Sequence, residues 1–152
     1  MSDRQSELTF LGYAGLLPFA AGAVGAWVLP APHAAEAAGV GVAYGGIIAA
    51  YMAGVGAGEL LVGVRAEGPR EPLLAGMVAA LVAWLAAAPA IFGVDPSLAA
   101  RAGALAIVFA WLLLRDLRAV RRGGLPAWYG PLRIRLTLGA CAALGAIAIR
   151  GA

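Results

Sequence analysis

Five apolar runs take up nearly the whole of this 152-residue chain, at about 8–29, 38–62, 73–92, 98–117 and 132–149. Each has the length of about 20 residues that carries an α-helix across about 30 Å of hydrocarbon. Water is absent there, so a spanning segment must satisfy its own backbone N–H and C=O groups, which a helix does. The expected fold is therefore an all-α integral membrane protein, a five-span helical bundle forming a single membrane domain over residues 1–152. At 62% hydrophobic and 12% charged residues the composition agrees, because soluble domains average about half apolar and a quarter charged. The connections are too short for a separate soluble domain, which places any function in the bundle, on its surface or in its short loops.

All eleven basic residues are arginine, and their placement orients the bundle. With the N-terminus in the cytoplasm, Arg4, Arg65, Arg70, Arg115, Arg118, Arg121, Arg122, Arg133 and Arg135 fall on that side, and Arg101 and Arg150 on the other. The positive-inside rule then gives a cytoplasmic N-terminus, a periplasmic C-terminus and a multi-pass protein of a bacterial inner (cytoplasmic) membrane. A net charge of +3 does not point to nucleic acid, since the arginines border spans instead of lining an exposed helix or strand. The expected partners are membrane lipids, through anionic headgroups at the cytoplasmic face. The run from Leu8 to Leu29 is longer than a signal-peptide core and lacks a small-residue cleavage site, so it reads as a retained span. An odd number of spans disfavours the two equal inverted halves common among transporters.

Few side chains suited to chemistry remain. Cys141 is the single cysteine and His33 the single histidine, which excludes an intramolecular disulfide, bis-histidine haem, the H-E-x-x-H zinc motif and a Ser-His-Asp triad within this chain. His33 and Glu36, three apart, are too few for a stable metal site. The expectation is no catalytic residue, no metal and no cofactor. Trp84 and Trp111 read as packing residues.

Three patterns stand out. Gly46, Ala50, Gly54 and Gly58 recur every four residues, the small-xxx-small signal for close helix contact, with a neighbour either inside the chain or outside it. Glu59 lies inside the second run and is a possible ion site; the plainer reading pairs it with Arg65, Arg115 or Arg133 near the same interface. Arg115, Arg118, Arg121 and Arg122 leave the fourth run together, followed by Trp128, Tyr129 and Arg133. They form an expected interfacial collar for docking lipid or a partner. Pro18 and Pro89 are expected helix breaks.

The stretch PAWYGPLRIRLTL, with LGYAGLLPF in the first run, YGGIIAAYMAGVGAG in the second, AWLA around Trp84 and Asp116 at the end of the fourth, resembles the domain-of-unknown-function family 3429. These are small inner-membrane proteins, among them transmembrane protein 69. The most specific part is Pro126-x-Trp128-Tyr129-x-x-Leu132-Arg133-x-x-Leu136-Thr137. Family members typically carry a histidine and a tryptophan where this chain has Gly56 and Ala57. The resemblance implies an inner-membrane location and no particular reaction. Abundant packing surface with no catalytic set points to a non-catalytic accessory or assembly subunit, packed against other membrane subunits in a bioenergetic or biogenesis complex. The alternative is a small-solute or proton-coupled transporter using Glu59.

Overall fold

The structure, a computed structural model, describes residues 3–61, 71–88, 90 and 93–151. Six helices follow one another: α1 (Asp3–Ala14), α2 (Leu17–Val28), α3 (His33–Leu61), α4 (Glu71–Ala87), α5 (Leu98–Arg121) and α6 (Tyr129–Arg150). Four segments are long and apolar enough to cross a membrane: Gln5–Val28, His33–Val55, Leu98–Arg121 and Tyr129–Arg150. The apolar part of α4, Leu73–Ala87, is shorter. All five apolar runs are therefore helical among the described residues, with α4 stopping before the expected end at 92. Pro89, Arg65 and Arg70 lie outside the described residues.

The first run is two helices. Pro18 was expected to kink one helix near its middle, but the break comes earlier, at Gly15 and Leu16, and Pro18 sits in the first turn of α2. That is where a proline costs least, because first-turn N–H groups have no partner within the helix. Leu16 N–H reaches back only to Tyr13 O at 3.0 Å, and the regular pattern resumes with Ala20 N–H to Leu16 O at 2.9 Å. The Tyr44 hydroxyl of α3 donates to the carbonyl oxygen of Gly15 at 3.0 Å, tying the break to the bundle.

From α2 onward each helix runs antiparallel to the next along the chain, and α3 packs against α2, α4, α5 and α6. A helix apolar on all sides is expected at such a centre. The core gathers Phe19, Val42, Leu105, Phe109, Leu112, Leu144 and Ile147, all fully buried. Phe19 meets Tyr44 and Phe109 edge to face at centroid distances of 5.1 and 5.8 Å. Trp111 packs on this core. Trp84 does not: it is exposed on the outer side of α4, among the apolar side chains that suit lipid.

Small residues set the closest approaches. A Cβ on Gly22 of α2 would come within 2.8 Å of the Gly41 Cα of α3. Across the α3–α4 seam, Ala49 and Ala53 face Ala79 and Ala83, all buried, and a Cβ on Gly76 would lie 2.8 Å from the Ala53 carbonyl oxygen. Gly46 belongs to this seam, since a Cβ there would overlap Ala87. The expected face of Gly46, Ala50, Gly54 and Gly58 does not act as one internal seam, however. Ala50 is half-buried, and Gly54 and Gly58 are exposed with nothing within 4 Å of a Cβ added to either. At about 100° per residue, a four-residue step drifts by about 40°, so Gly58 has turned about 120° from Gly46. The seam that stays on one face steps by four, three and four, through Val42, Gly46, Ala49 and Ala53.

Candidate functional site

The same alternating step runs down α5 and α6. On α5 the buried positions include Ala102, Leu105, Phe109, Leu112, Asp116 and Ala119. On α6 they include Gly130, Arg133, Thr137, Ala140, Leu144 and Ile147. One carboxylate thus occupies a core position of α5, and one guanidinium and one hydroxyl occupy core positions of α6. The antiparallel pairing brings the last turns of α5 beside the first turns of α6, where these groups meet.

Asp116 is 1% exposed and Arg133 3%. Arg133 Nε donates to Asp116 Oδ2 at 2.7 Å. Arg115, whose side chain is 14% exposed, donates to Oδ1 from Nε at 3.0 Å and from Nη2 at 2.8 Å. It also reaches α3, with Nη1 donating to the Ala53 carbonyl at 3.0 Å and Nη2 to the Met52 carbonyl at 2.8 Å. Arg133 Nη1 donates to Thr137 Oγ1 at 3.4 Å. Both oxygens of Asp116 are thus held by guanidinium groups, and one carboxylate ties three helices. Two guanidinium groups against one carboxylate leave these residues with a surplus positive charge. Among the described residues, the one buried side-chain nitrogen or oxygen without a hydrogen-bond partner is Arg133 Nη2.

Arg133 also stands in the wall of a partly open cavity of about 400 Å³ between α1, the start of α2, α3, α5 and α6. Leu11, Leu16, Phe19, Ile48 and Leu136 supply much of the lining, and Tyr51, Tyr129 and Arg133 are the polar side chains in it. Such a site can hold an elongated apolar body with a hydrogen-bond acceptor at one end. Among the described residues, no group of three or more His, Cys, Asp or Glu lies close enough to hold a metal ion.

The cluster and the cavity both fall within residues 5–149, which match the family described as protein of unknown function (DUF3429). The chain belongs to the DUF3429 family. No curated protein and no solved structure matches it.

In this DUF3429 protein the expected arginine collar is divided. Arg118, Arg121 and Arg122 are exposed on the last turns of α5, and Trp128 and Tyr129 are half-buried with their rings edge to face at 6.1 Å. Arg115 and Arg133 are not displayed on that surface with them: they turn inward to Asp116. The register explains the difference, because Arg133 continues the buried face of α6 while Arg118 falls off the buried face of α5. Asp116 was absent from the expected site residues, although it lies four residues beyond buried Leu112, on the same face. Asp116 thus puts an acidic side chain at a core position of the bundle. Glu59 lies in α3, but its side chain, like those of Gly56 and Ala57, is outside what is described.

The outer residues find local roles. His33 and Glu36 form an exposed pair at the start of α3, with His33 Nδ1 3.1 Å from Glu36 Oε2. Arg101 donates from Nε to the Ala86 carbonyl at 3.0 Å and from Nη2 to the Ala87 carbonyl. It therefore caps the end of α4, where carbonyl groups lack helix partners and the helix dipole favours a cation.

Proposed function

We propose that this DUF3429 chain is a non-catalytic accessory or assembly subunit of a larger complex in a bacterial inner membrane. The supporting observation is the C-terminal end of α3, where Gly54 and Gly58 lie exposed and, among the described residues, a Cβ added to either would meet nothing within 4 Å. Their small size would let another backbone approach closely, and small residues of this kind are enriched where membrane helices meet. Gly54→Leu and Gly58→Leu would leave the isolated bundle folded and prevent recovery of partner subunits after mild detergent extraction. Unchanged recovery with both variants would overturn the assignment.

The second reading, a proton- or cation-coupled carrier, draws no support from Asp116, whose two oxygens are both held by arginine. It rests on Glu59 alone. Solute flux in reconstituted vesicles that disappears in Glu59→Gln would favour the carrier. The proposed orientation puts the C-terminus in the periplasm, so a reporter fused after Ala152 would read as periplasmic and one inserted near Gly123 as cytoplasmic. The reverse pattern would overturn the orientation.

A further inference from the structure

We infer that the cavity beside Arg133 binds a single-chain acidic amphiphile, a long-chain carboxylate of the fatty-acid type, with its carboxylate on the Arg133 guanidinium. Three independent features of the fold support this, and none depends on the accessory role proposed above.

The first is the unfinished bonding of Arg133. Its Nε and Nη1 have partners, and Nη2, itself buried, has none. Leaving a charged donor unpaired in a dry interior is among the more costly arrangements a protein can hold, and an acceptor brought in from outside removes that cost. The second is charge. Arg115 and Arg133 share the single carboxylate of Asp116, so an incoming anion would neutralise the surplus that these three residues leave. A neutral alcohol would satisfy the donor without balancing the charge.

The third is shape and depth. The volume of about 400 Å³ lies within the range of small-ligand sites, about 300–1,000 Å³. On α6 the wall runs from Tyr129 to Ala140, which is about 16 Å along the helix axis. Arg133 stands toward the Tyr129 end, next to the Trp128 and Tyr129 rings of the kind that sit at headgroup level. Away from it, the lining at Leu136, Ala140 and Phe19 is apolar. A carboxylate at interfacial depth with its chain directed into the bilayer has this polarity from end to end. The outer wall is α1, which crosses α6 so tightly that a Cβ on Gly12 would come within 2.8 Å of Leu136 Cδ1. Phe10 of α1, which does not line the cavity, is exposed on the outside of the helix.

The test uses the full chain in phosphatidylcholine nanodiscs, with labelled palmitate as one probe and 1-hexadecanol, the alcohol of equal chain length, as the other. Palmitate is expected to bind saturably at one per chain, about tenfold or more tighter than hexadecanol, the difference a charged hydrogen bond commonly makes. Val55→Trp, which adds bulk to the cavity wall on α3, would weaken both probes about tenfold or more. Arg133→Lys keeps a cation opposite Asp116 but removes the guanidinium fork, and would lower palmitate affinity more than hexadecanol affinity. Equal affinity of the wild-type chain for the two probes, or no saturable palmitate binding by a chain whose helical circular dichroism is intact, would overturn the proposal. Unchanged palmitate binding by Val55→Trp would also overturn it. If a variant fails to fold, the wild-type comparison of acid with alcohol decides alone.

Discussion

The α3–α4 seam and the α5–α6 seam solve one problem in opposite ways. Lipid is as apolar as a leucine side chain, so burying apolar surface does little to hold membrane helices together; close packing and interhelical hydrogen bonds must do it. Between α3 and α4 the contact is made by Gly46, Ala49, Ala53, Gly76, Ala79 and Ala83, which carry no polar side-chain group. Between α5 and α6 it is anchored at one end by Asp116 and Arg133, with Arg115 extending the tie to α3. The first seam depends on the absence of side-chain volume and the second on the presence of matched charge. They should therefore fail differently.

The largest effect is expected at the charged seam. Asp116→Ala leaves Arg115 and Arg133 without their shared carboxylate, and breaking a buried ion pair from one side costs about 3–5 kcal/mol. Detergent-titrated unfolding followed by circular dichroism would read this loss. A cost below about 1 kcal/mol would mean that the cluster is solvated like a surface pair. At the alanine seam the perturbation is added volume. Gly76→Leu drives a branched side chain against the Ala53 carbonyl and should cost about 1–3 kcal/mol by the same assay. The smallest change is expected where one neutral bond is lost: Tyr44→Phe removes the donor to Gly15 and should cost about 0.6 kcal/mol, near the average for such bonds between membrane helices. If Tyr44→Phe were as harmful as Asp116→Ala, the contrast between charged and neutral ties would be wrong.

The same contrast explains what could be read from the residues alone. Segment length and hydropathy place the helices, because the thickness of the hydrocarbon sets how long an apolar run must be. The family match over residues 5–149 agrees with the resemblance carried by the run from Pro126 to Thr137. The direction each side chain faces is harder. Reading arginines only as topology signals put Arg133 with Arg118 in one collar. A helical register stepping by three and four from Ile147 back through Leu144, Ala140 and Thr137 would have turned Arg133 inward. Likewise a four-residue repeat carried Gly54 and Gly58 into the same face as Gly46, although the drift of the helix separates them. The cavity left no sequence signal, since its walls come from five helices whose crossing is fixed by packing.

Arg133 is a buried partner of Asp116, while Arg118, one turn from Arg115 on the same helix, is a surface group. A pair of double-mutant cycles on unfolding free energy tests it most directly, one coupling Asp116→Asn with Arg133→Gln and the other coupling Asp116→Asn with Arg118→Gln. The first should return a coupling energy of about 2–3 kcal/mol and the second less than about 0.5 kcal/mol. Equal couplings, or a first coupling indistinguishable from zero, would contradict the division of the arginines on which the account rests.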